Sequence, residues 1–148
     1  MVFSQLNISK MSSNSELSLQ KFLHEQEIHL MALQETGCWE PTDGLFNDKI
    51  IFRNNIVGNN TLKGVAIIAK KTLCPEAVQI GDAAAVGFDA IWCQIKVGGR
   101  RILVGSLYIS PSVGDEIFDN LLSYLREAQS HKLKHNFSSI ITRVATQS

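Results

Sequence analysis

Apolar residues fall into short runs of strand length along most of the chain. These runs show the alternating or continuous apolar pattern that is typical of half-buried and buried strands. They cover residues 2–8, 28–33, 49–53, 64–69, 90–97 and 101–107. Gly98 and Gly99 separate the last two runs, and such a glycine turn between alternating segments predicts a β-hairpin. Pro111 is expected to end the second strand of that hairpin.

Two segments have the apolar spacing of helices. The first follows the candidate N-caps at residues 12–14, and the second runs from Asp115 to about Lys132. In the first, the expected buried face is Leu17, Leu19, Phe22 and Leu23, with Glu16, Gln20, Lys21 and Glu25 turned outward. In the second, the expected apolar residues are Ile117, Phe118, Leu121, Leu122 and Leu125. A last segment, from Phe137 to Val144, begins like a strand and then loses its pattern in TRVATQS.

The order of these elements indicates the class of fold. A strand, a helix and a second strand open the chain, which is the layout of a layered α/β domain. Residues 54–61 are rich in turn formers and residues 81–87 are small and irregular, so both predict loops. Trp39 and Trp92 are expected to be packing residues, and Arg100 and Arg101 to lie at a solvated hairpin tip.

Composition and charge narrow the class of function. A chain of 148 residues is one domain at most, and its formal net charge is zero. A protein that binds phosphates non-specifically usually has a basic surplus, which this composition lacks. No run approaches the ~20 apolar residues of a membrane span, and the N-terminus has no signal-peptide pattern. We therefore expect a soluble intracellular protein, with nucleus or cytoplasm undecided.

Three blocks carry a resemblance to a known family. They are the strand QLNI at residues 5–8, the strand IHLMALQET at residues 28–36, and the strand ILVGSLYISP at residues 102–111. The buried strand at residues 64–69 fits between the second and the third. In this order and spacing the blocks resemble the endonuclease/exonuclease/phosphatase family, especially the endonuclease domains of non-LTR retrotransposons.

The resemblance implies a fold and a site. The fold is a partial four-layer α/β/β/α sandwich of the DNase I type, with residues 1–148 forming an incomplete domain of the family. Glu35 matches the carboxylate that binds the catalytic Mg²⁺, Asn7 an Asn beside that metal, and Tyr108 a Tyr that contacts the scissile phosphate. Mg²⁺ takes oxygen ligands and keeps several waters, so one or two carboxylates suffice. A phenol can donate a hydrogen bond to a phosphate oxygen as charge builds on it.

The implied activity is Mg²⁺-dependent nicking of DNA, and the resemblance leaves open whether a reverse transcriptase is fused to the domain in the full-length element. The sequence departs from the family in three places. Ser9 and Lys10 stand where members often have Asn or Asp followed by Gly, residues 142–145 read TRVA where a Gly-Asp-x-Asn block is expected, and no Ser-Asp-His block follows. Because such residues act as a unit, we expect cleavage by this truncated chain to be impaired or absent.

Simpler interpretations stay open. Glu35 could be an ordinary strand-end carboxylate, Asn7 a turn residue and Tyr108 a half-buried edge aromatic. For the whole chain the alternatives are a non-catalytic remnant that binds DNA weakly, a phosphatase of the same family, and an unrelated α/β binding module. The last would have a fully parallel sheet and a glycine-rich phosphate loop.

Overall fold

The computed structural model describes residues 1–54, 63–83, 87–109 and 116–146. Within these residues two four-stranded sheets pack face to face, and a helix covers the outer face of each. The layers run α/β/β/α, so the sandwich implied by the resemblance is confirmed. Both sheets are mixed, which contradicts the fully parallel sheet of the unrelated binding module.

The first sheet contains the strands at the N-terminal side of the chain. These are β1 (Phe3–Asn7), β2 (Leu30–Gln34), β3 (Lys49–Asn54) and β4 (Val65–Lys70), in the spatial order β1-β2-β4-β3. β1 and β2 are parallel and are connected by α1 (Ser13–Glu25), while β4 is antiparallel to its two neighbours. A capping box at Ser12 and Ser15 begins α1, because each side chain bonds the backbone N–H of the other.

The second sheet has the spatial order β5-β6-β7-β8. Its strands are β5 (Glu76–Val78), β6 (Phe88–Val97), β7 (Arg100–Ile109) and β8 (Ser139–Thr146). β6 and β7 form the predicted hairpin around Gly98 and Gly99, which confirms that prediction. β8 runs parallel to β7 and is reached through α2 (Ile117–Lys134). The short strand β5 was not predicted.

The core consists of three apolar layers. The inter-sheet layer includes Leu30, Ile67 and Val104, all less than 1% exposed. α1 packs on the first sheet through Leu19 and Leu23, and α2 packs on the second sheet through residues that include Ile117, Tyr124 and Ala128. The two tryptophans lie in the outer layers at 4% and 2% exposure, which confirms them as packing residues.

The buried face of α1 differs from the prediction. Glu16, expected outside, is 4% exposed, whereas Leu17 and Phe22, expected inside, are 57% and 44% exposed. The cause is a set of hydrogen bonds that Glu16 accepts from Trp39 and Thr42 in the loop after β2. These contacts rotate the acid inward and leave Leu19 and Leu23 as the apolar contacts.

The second predicted helix is confirmed as α2, with its buried stripe through Ile117, Tyr124 and Ala128, while Phe118 and Leu122 are 69% and 52% exposed. Two expectations in the C-terminal part were wrong. β8 does not lose its structure after residue 142, because its pairing with β7 continues to Thr146. Arg101 does not lie free at a hairpin tip: its guanidinium lies 4.3 Å from the centre of the Phe137 ring and donates to the His135 carbonyl and to Gln94.

Some expectations concern residues outside the described ranges. These are the loop over residues 55–61, residues 84–86, Pro111 and Asp115. In the part of the chain that is described, no helix has the length and apolar character needed to cross a membrane.

Candidate functional site

The strand ends of both sheets meet at one edge of the sandwich. β1 and β2 are parallel, so Asn7 at the end of β1 lies opposite Gln34, and Glu35 follows directly. In the second sheet, Tyr108 near the end of β7 pairs with Asp89 near the start of β6. Side chains two residues apart share a face of a strand, so Tyr108 faces the same side as Ser106, which contacts β2 across the sandwich. We call this edge the strand-end rim, made of Asn7, Glu35, Asp89 and Tyr108.

Glu35 has an unusual backbone conformation. Its φ is +57°, in the left-handed region that non-glycine residues rarely occupy, and it is 8% exposed. Such a conformation costs about 1–3 kcal/mol and persists only where the surroundings fix it. Here the next two residues are held by hydrogen bonds: the Thr36 N–H donates to the Gly64 carbonyl at 3.2 Å, and the Gly37 N–H donates to the Lys63 carbonyl at 2.8 Å.

This conformation gives a direct test. Replacing Glu35 with glycine is expected to leave the chain about 1 kcal/mol more stable than replacing it with alanine, because glycine has no Cβ to oppose a positive φ. Urea unfolding of the two variants measures the difference, and both lack the carboxylate. Equal stability of the two variants would show that the left-handed conformation carries no strain.

Tyr108 is fully buried and is therefore not a half-buried edge aromatic. It is 1% exposed, and its hydroxyl has no hydrogen-bond partner among the described residues. Burial raises the pKa of Tyr108 to about 12; the Glu35 carboxylate, as a close acceptor and as a charge, adds to the rise, and so does the charge of Asp89. The Glu35 carboxylate therefore lies close to the phenol. A buried hydroxyl without a partner is costly, and this one is left able to donate to a ligand.

The raised tyrosine pKa values predict a loss of stability at alkaline pH. Tyr124, the second of the chain's two tyrosines, also has its pKa raised by burial to about 12. Burial also raises the pKa of the Cys93 thiol to about 12. The stabilising effect of these three groups is complete below their unfolded pKa values, near 9 for the thiol and near 10 for the tyrosines, and is lost as the pH rises toward 12, because the unfolded chain then holds about three fewer protons. Urea midpoints between pH 9 and 11.5 should fall, and Tyr108→Phe should flatten the fall by about a third. A midpoint independent of pH in this window would contradict the prediction.

Asn7 lies on the face of β1 that is turned toward the second sheet. Its neighbours on the same face are Gln5, which donates to Gln34, and Phe3, which lies under the Arg143 guanidinium of β8. The Asn7 Oδ1 accepts the Ser9 N–H at 3.2 Å, and this contact accompanies a left-handed Ser9 with φ +65°. Asn7 therefore shapes the turn after β1 while one lone pair of its carbonyl oxygen is left for another partner.

A buried polar contact supports the rim from below. Gln34 Nε2 donates to Ser106 Oγ at 3.1 Å, and Ser106 Oγ donates to the Leu33 carbonyl at 3.0 Å. Gln34 and Ser106 are both fully buried, so these bonds fix the first sheet relative to the second where the strands end.

Sequence reasoning missed Asp89. The residue is 3% exposed, and its Oδ2 accepts the N–H groups of Lys63 at 2.8 Å and Gly64 at 3.0 Å. Burial raises the pKa of Asp89, although these two hydrogen bonds partly offset the rise. The available signal was a single acid inside the otherwise uncharged run GFDAIWCQI.

β8 adds no oxygen ligand at the register of Tyr108. Its residue opposite Tyr108 is Ala145, which lies on the same face of the strand as Arg143. In the part of the chain that the structure describes, no group of three or more His, Cys, Asp or Glu side chains could hold a metal ion. The oxygens that the rim offers come from one free carboxylate, an amide and a phenol.

Two mixed sheets between two helices form the same fold as solved endonuclease/exonuclease/phosphatase structures. The endonuclease domain of TRAS1, a telomere-specific non-LTR retrotransposon, matches 95% of this chain over 56% of its own, with a TM-score of 0.56 and 17% identity. An endonuclease/exonuclease/phosphatase from Bacteroides vulgatus matches 86% of this chain over 59% of its own, with a TM-score of 0.61 and 12% identity. The D. rerio TDP2 complexed with single strand DNA product matches 97% of this chain over 58% of its own, with a TM-score of 0.56 and 13% identity.

These likenesses confirm the fold that the sequence blocks implied. The chain spans less than two thirds of the length of the structures that it matches. No protein-family model matches the sequence, and no curated protein matches it.

The donor set of the rim suits a hard cation. Mg²⁺ prefers oxygen ligands and is usually held by one or two carboxylates together with waters and substrate phosphates. Glu35 offers such a carboxylate, and the buried hydroxyls of Thr36 and Tyr108 lack hydrogen-bond partners among the described residues. The residues therefore fit a magnesium ion with few protein ligands.

Proposed function

We propose that the strand-end rim is the magnesium- and phosphate-binding part of a phosphodiester-cleaving site of the retrotransposon endonuclease type, with impaired activity in this chain. The observation that carries the proposal is the strained, buried Glu35 beside the unpartnered Tyr108 hydroxyl. Backbone strain of this kind concentrates at functional sites.

Each residue has a proposed role. Glu35 holds the metal with its carboxylate, and Asn7 holds it with its amide oxygen. When bound, Mg²⁺ would polarise the phosphoryl oxygen and stabilise the leaving oxygen. Tyr108 donates its O–H to a non-bridging phosphate oxygen, and its raised pKa keeps the proton on the phenol at neutral pH.

DNA is the proposed substrate. The likeness to a retrotransposon endonuclease domain supports this choice, as does the single strand DNA product bound to a TDP2 of the same fold. Binding is expected to be weak because the chain's net charge is zero. A fused reverse transcriptase stays part of the proposal for a longer element.

Impairment follows from what the rim lacks. Ala145 stands beside Tyr108 where a further oxygen ligand could complete the site, and residues 142–145 read TRVA in place of Gly-Asp-x-Asn. Without a second carboxylate the metal is held weakly. Of the two alternatives, the missing ligand favours a non-catalytic remnant that binds DNA weakly over a phosphatase.

Plasmid nicking tests the proposal. The purified chain, Glu35→Ala and Ala145→Asp are each incubated with supercoiled plasmid in Mg²⁺ or EDTA. We expect nicking by the parent chain at or close to the Glu35→Ala background. Ala145→Asp should tighten Mg²⁺ binding by about tenfold, because carboxylate count tunes the affinity of such sites. Strong nicking that depends on Mg²⁺ and Glu35 would contradict impairment, and unchanged Mg²⁺ binding in Ala145→Asp would contradict the placement of the metal.

A further inference from the structure

Asp89 is a buried acid for which the proposed chemistry has no use. It lies on the inner face of β6, paired with Tyr108, and is 3% exposed. A buried carboxylate is costly unless it is hydrogen-bonded, so its contacts indicate what it does. Both of its recorded hydrogen bonds come from consecutive backbone N–H groups, those of Lys63 and Gly64.

The same two residues hold the turn after Glu35. The Lys63 carbonyl accepts the Gly37 N–H, and the Gly64 carbonyl accepts the Thr36 N–H. The peptide unit that joins Lys63 to Gly64 is therefore bonded on both sides: its N–H donates to Asp89 and its carbonyl accepts the Gly37 N–H. Hydrogen bonds aligned through a peptide polarise one another, so the negative charge of Asp89 strengthens the bond to Gly37. The Thr36 N–H bonds the next peptide unit and depends on Asp89 through the position of Gly64.

Gly64 makes the approach close. Its φ is +84°, and a Cβ there would lie 2.7 Å from both the Gly37 carbonyl oxygen and the Thr36 hydroxyl. The residue before β4 therefore packs directly against the turn that follows Glu35, with no space for a side chain between them. The left-handed Glu35 lies directly before Thr36.

We infer that Asp89 is a positioning residue: through the backbone of Lys63 and Gly64 it holds Glu35 in its left-handed conformation at the rim. The inference rests on the proposed function only in taking Glu35 as the metal ligand. Asp89 is given no metal-binding role here, because its Oδ2 already accepts two backbone N–H groups.

Hydrogen exchange of the metal-free chain tests the inference. In Asp89→Ala the amides of Thr36 and Gly37 should exchange about tenfold faster or more, since losing charge-assisted hydrogen bonds weakens the turn. Asp89→Asn keeps a neutral acceptor and should accelerate them by about threefold. Exchange is normalised to the Leu103 and Val104 amides in β7. Tyr124→Phe, which removes two hydrogen bonds on the outer side of the second sheet, is the matched control and should leave the ratio unchanged.

Metal binding provides the second measurement. Asp89→Ala should weaken Mg²⁺ binding by about tenfold at a temperature where it is folded, and Tyr124→Phe should not. If Asp89→Ala does not fold, the test rests on Asp89→Asn, through the exchange rates of its Thr36 and Gly37 amides relative to those of Leu103 and Val104. Parent-like exchange at Thr36 and Gly37 in the folded variants would overturn the inference. Accelerated exchange in a chain whose parent binds no Mg²⁺ would refute the proposed function and leave the positioning role of Asp89 supported.

Discussion

Replacing Gly105 with alanine is expected to lower the free energy of unfolding by about 3 kcal/mol. Gly105 pairs with Trp92 across β6 and β7, and an alanine Cβ would lie 2.6 Å from the indole Cε3 and Cη2 atoms. The indole cannot move aside easily, because it is 2% exposed and its Nε1 donates to the Tyr124 hydroxyl at 2.8 Å. That hydroxyl in turn donates to the Ile80 carbonyl at 2.7 Å.

Urea unfolding of Gly105→Ala measures the loss, and Trp92→Phe provides the control. The smaller ring leaves space for the added methyl, so the double variant should be less destabilised than the sum of the two single variants. A Gly105→Ala chain within about 0.5 kcal/mol of the parent would show that the Trp92 ring can shift at little cost.

Replacing Glu16 with alanine is expected to cost a similar amount, about 3 kcal/mol. The carboxylate accepts the Trp39 Nε1–H at 2.7 Å, the Thr42 N–H at 3.1 Å and the Thr42 hydroxyl. Removing it leaves buried donors unpaired in the loop that follows Glu35. Thermal or urea unfolding reports the stability, and the loss should be larger than for Glu25→Ala on the exposed side of the same helix.

Glu16 also predicts a dependence on acid pH. Burial raises the pKa of Glu16, but the hydrogen bonds from Thr42 and Trp39 outweigh it and hold the pKa below its ordinary value. A lowered carboxyl pKa contributes stability that is present above the unfolded pKa and is lost as the pH falls through the folded one. Glu16→Gln should therefore weaken the acid sensitivity of folding. An unchanged acid profile in Glu16→Gln would show that other carboxylates account for it.

Much of the fold could be predicted from the sequence because the apolar period is local. The runs at residues 28–33 and 64–69 became β2 and β4, and the Gly98–Gly99 turn produced the β6–β7 hairpin. The four-layer arrangement came from the resemblance carried by three blocks rather than from periodicity. The predicted end of β8 was wrong because the hydrogen-bonded pairing with β7 continues through TRVAT despite the weak apolar pattern of these residues.

Other features depend on contacts that are distant in sequence. Glu16 is buried because of Trp39 and Thr42, which lie 23 and 26 residues away. Asp89 has backbone partners, and backbone N–H groups leave no trace in the sequence. The left-handed φ of Glu35 was likewise invisible, since the letters LQET give no sign of the turn held by Lys63 and Gly64.

Magnesium binding by the parent chain and by Glu35→Gln is the most direct test of the central claim, that Glu35 forms a metal site at the rim. Titration calorimetry with MgCl₂ is expected to show saturable binding by the parent chain and none by Glu35→Gln, which keeps the shape of the side chain. Glu25→Gln, an exposed change on α1, should bind like the parent. Equal Mg²⁺ binding by the parent and Glu35→Gln would contradict the account. So would the absence of any binding by the parent chain at the highest MgCl₂ concentration of the titration.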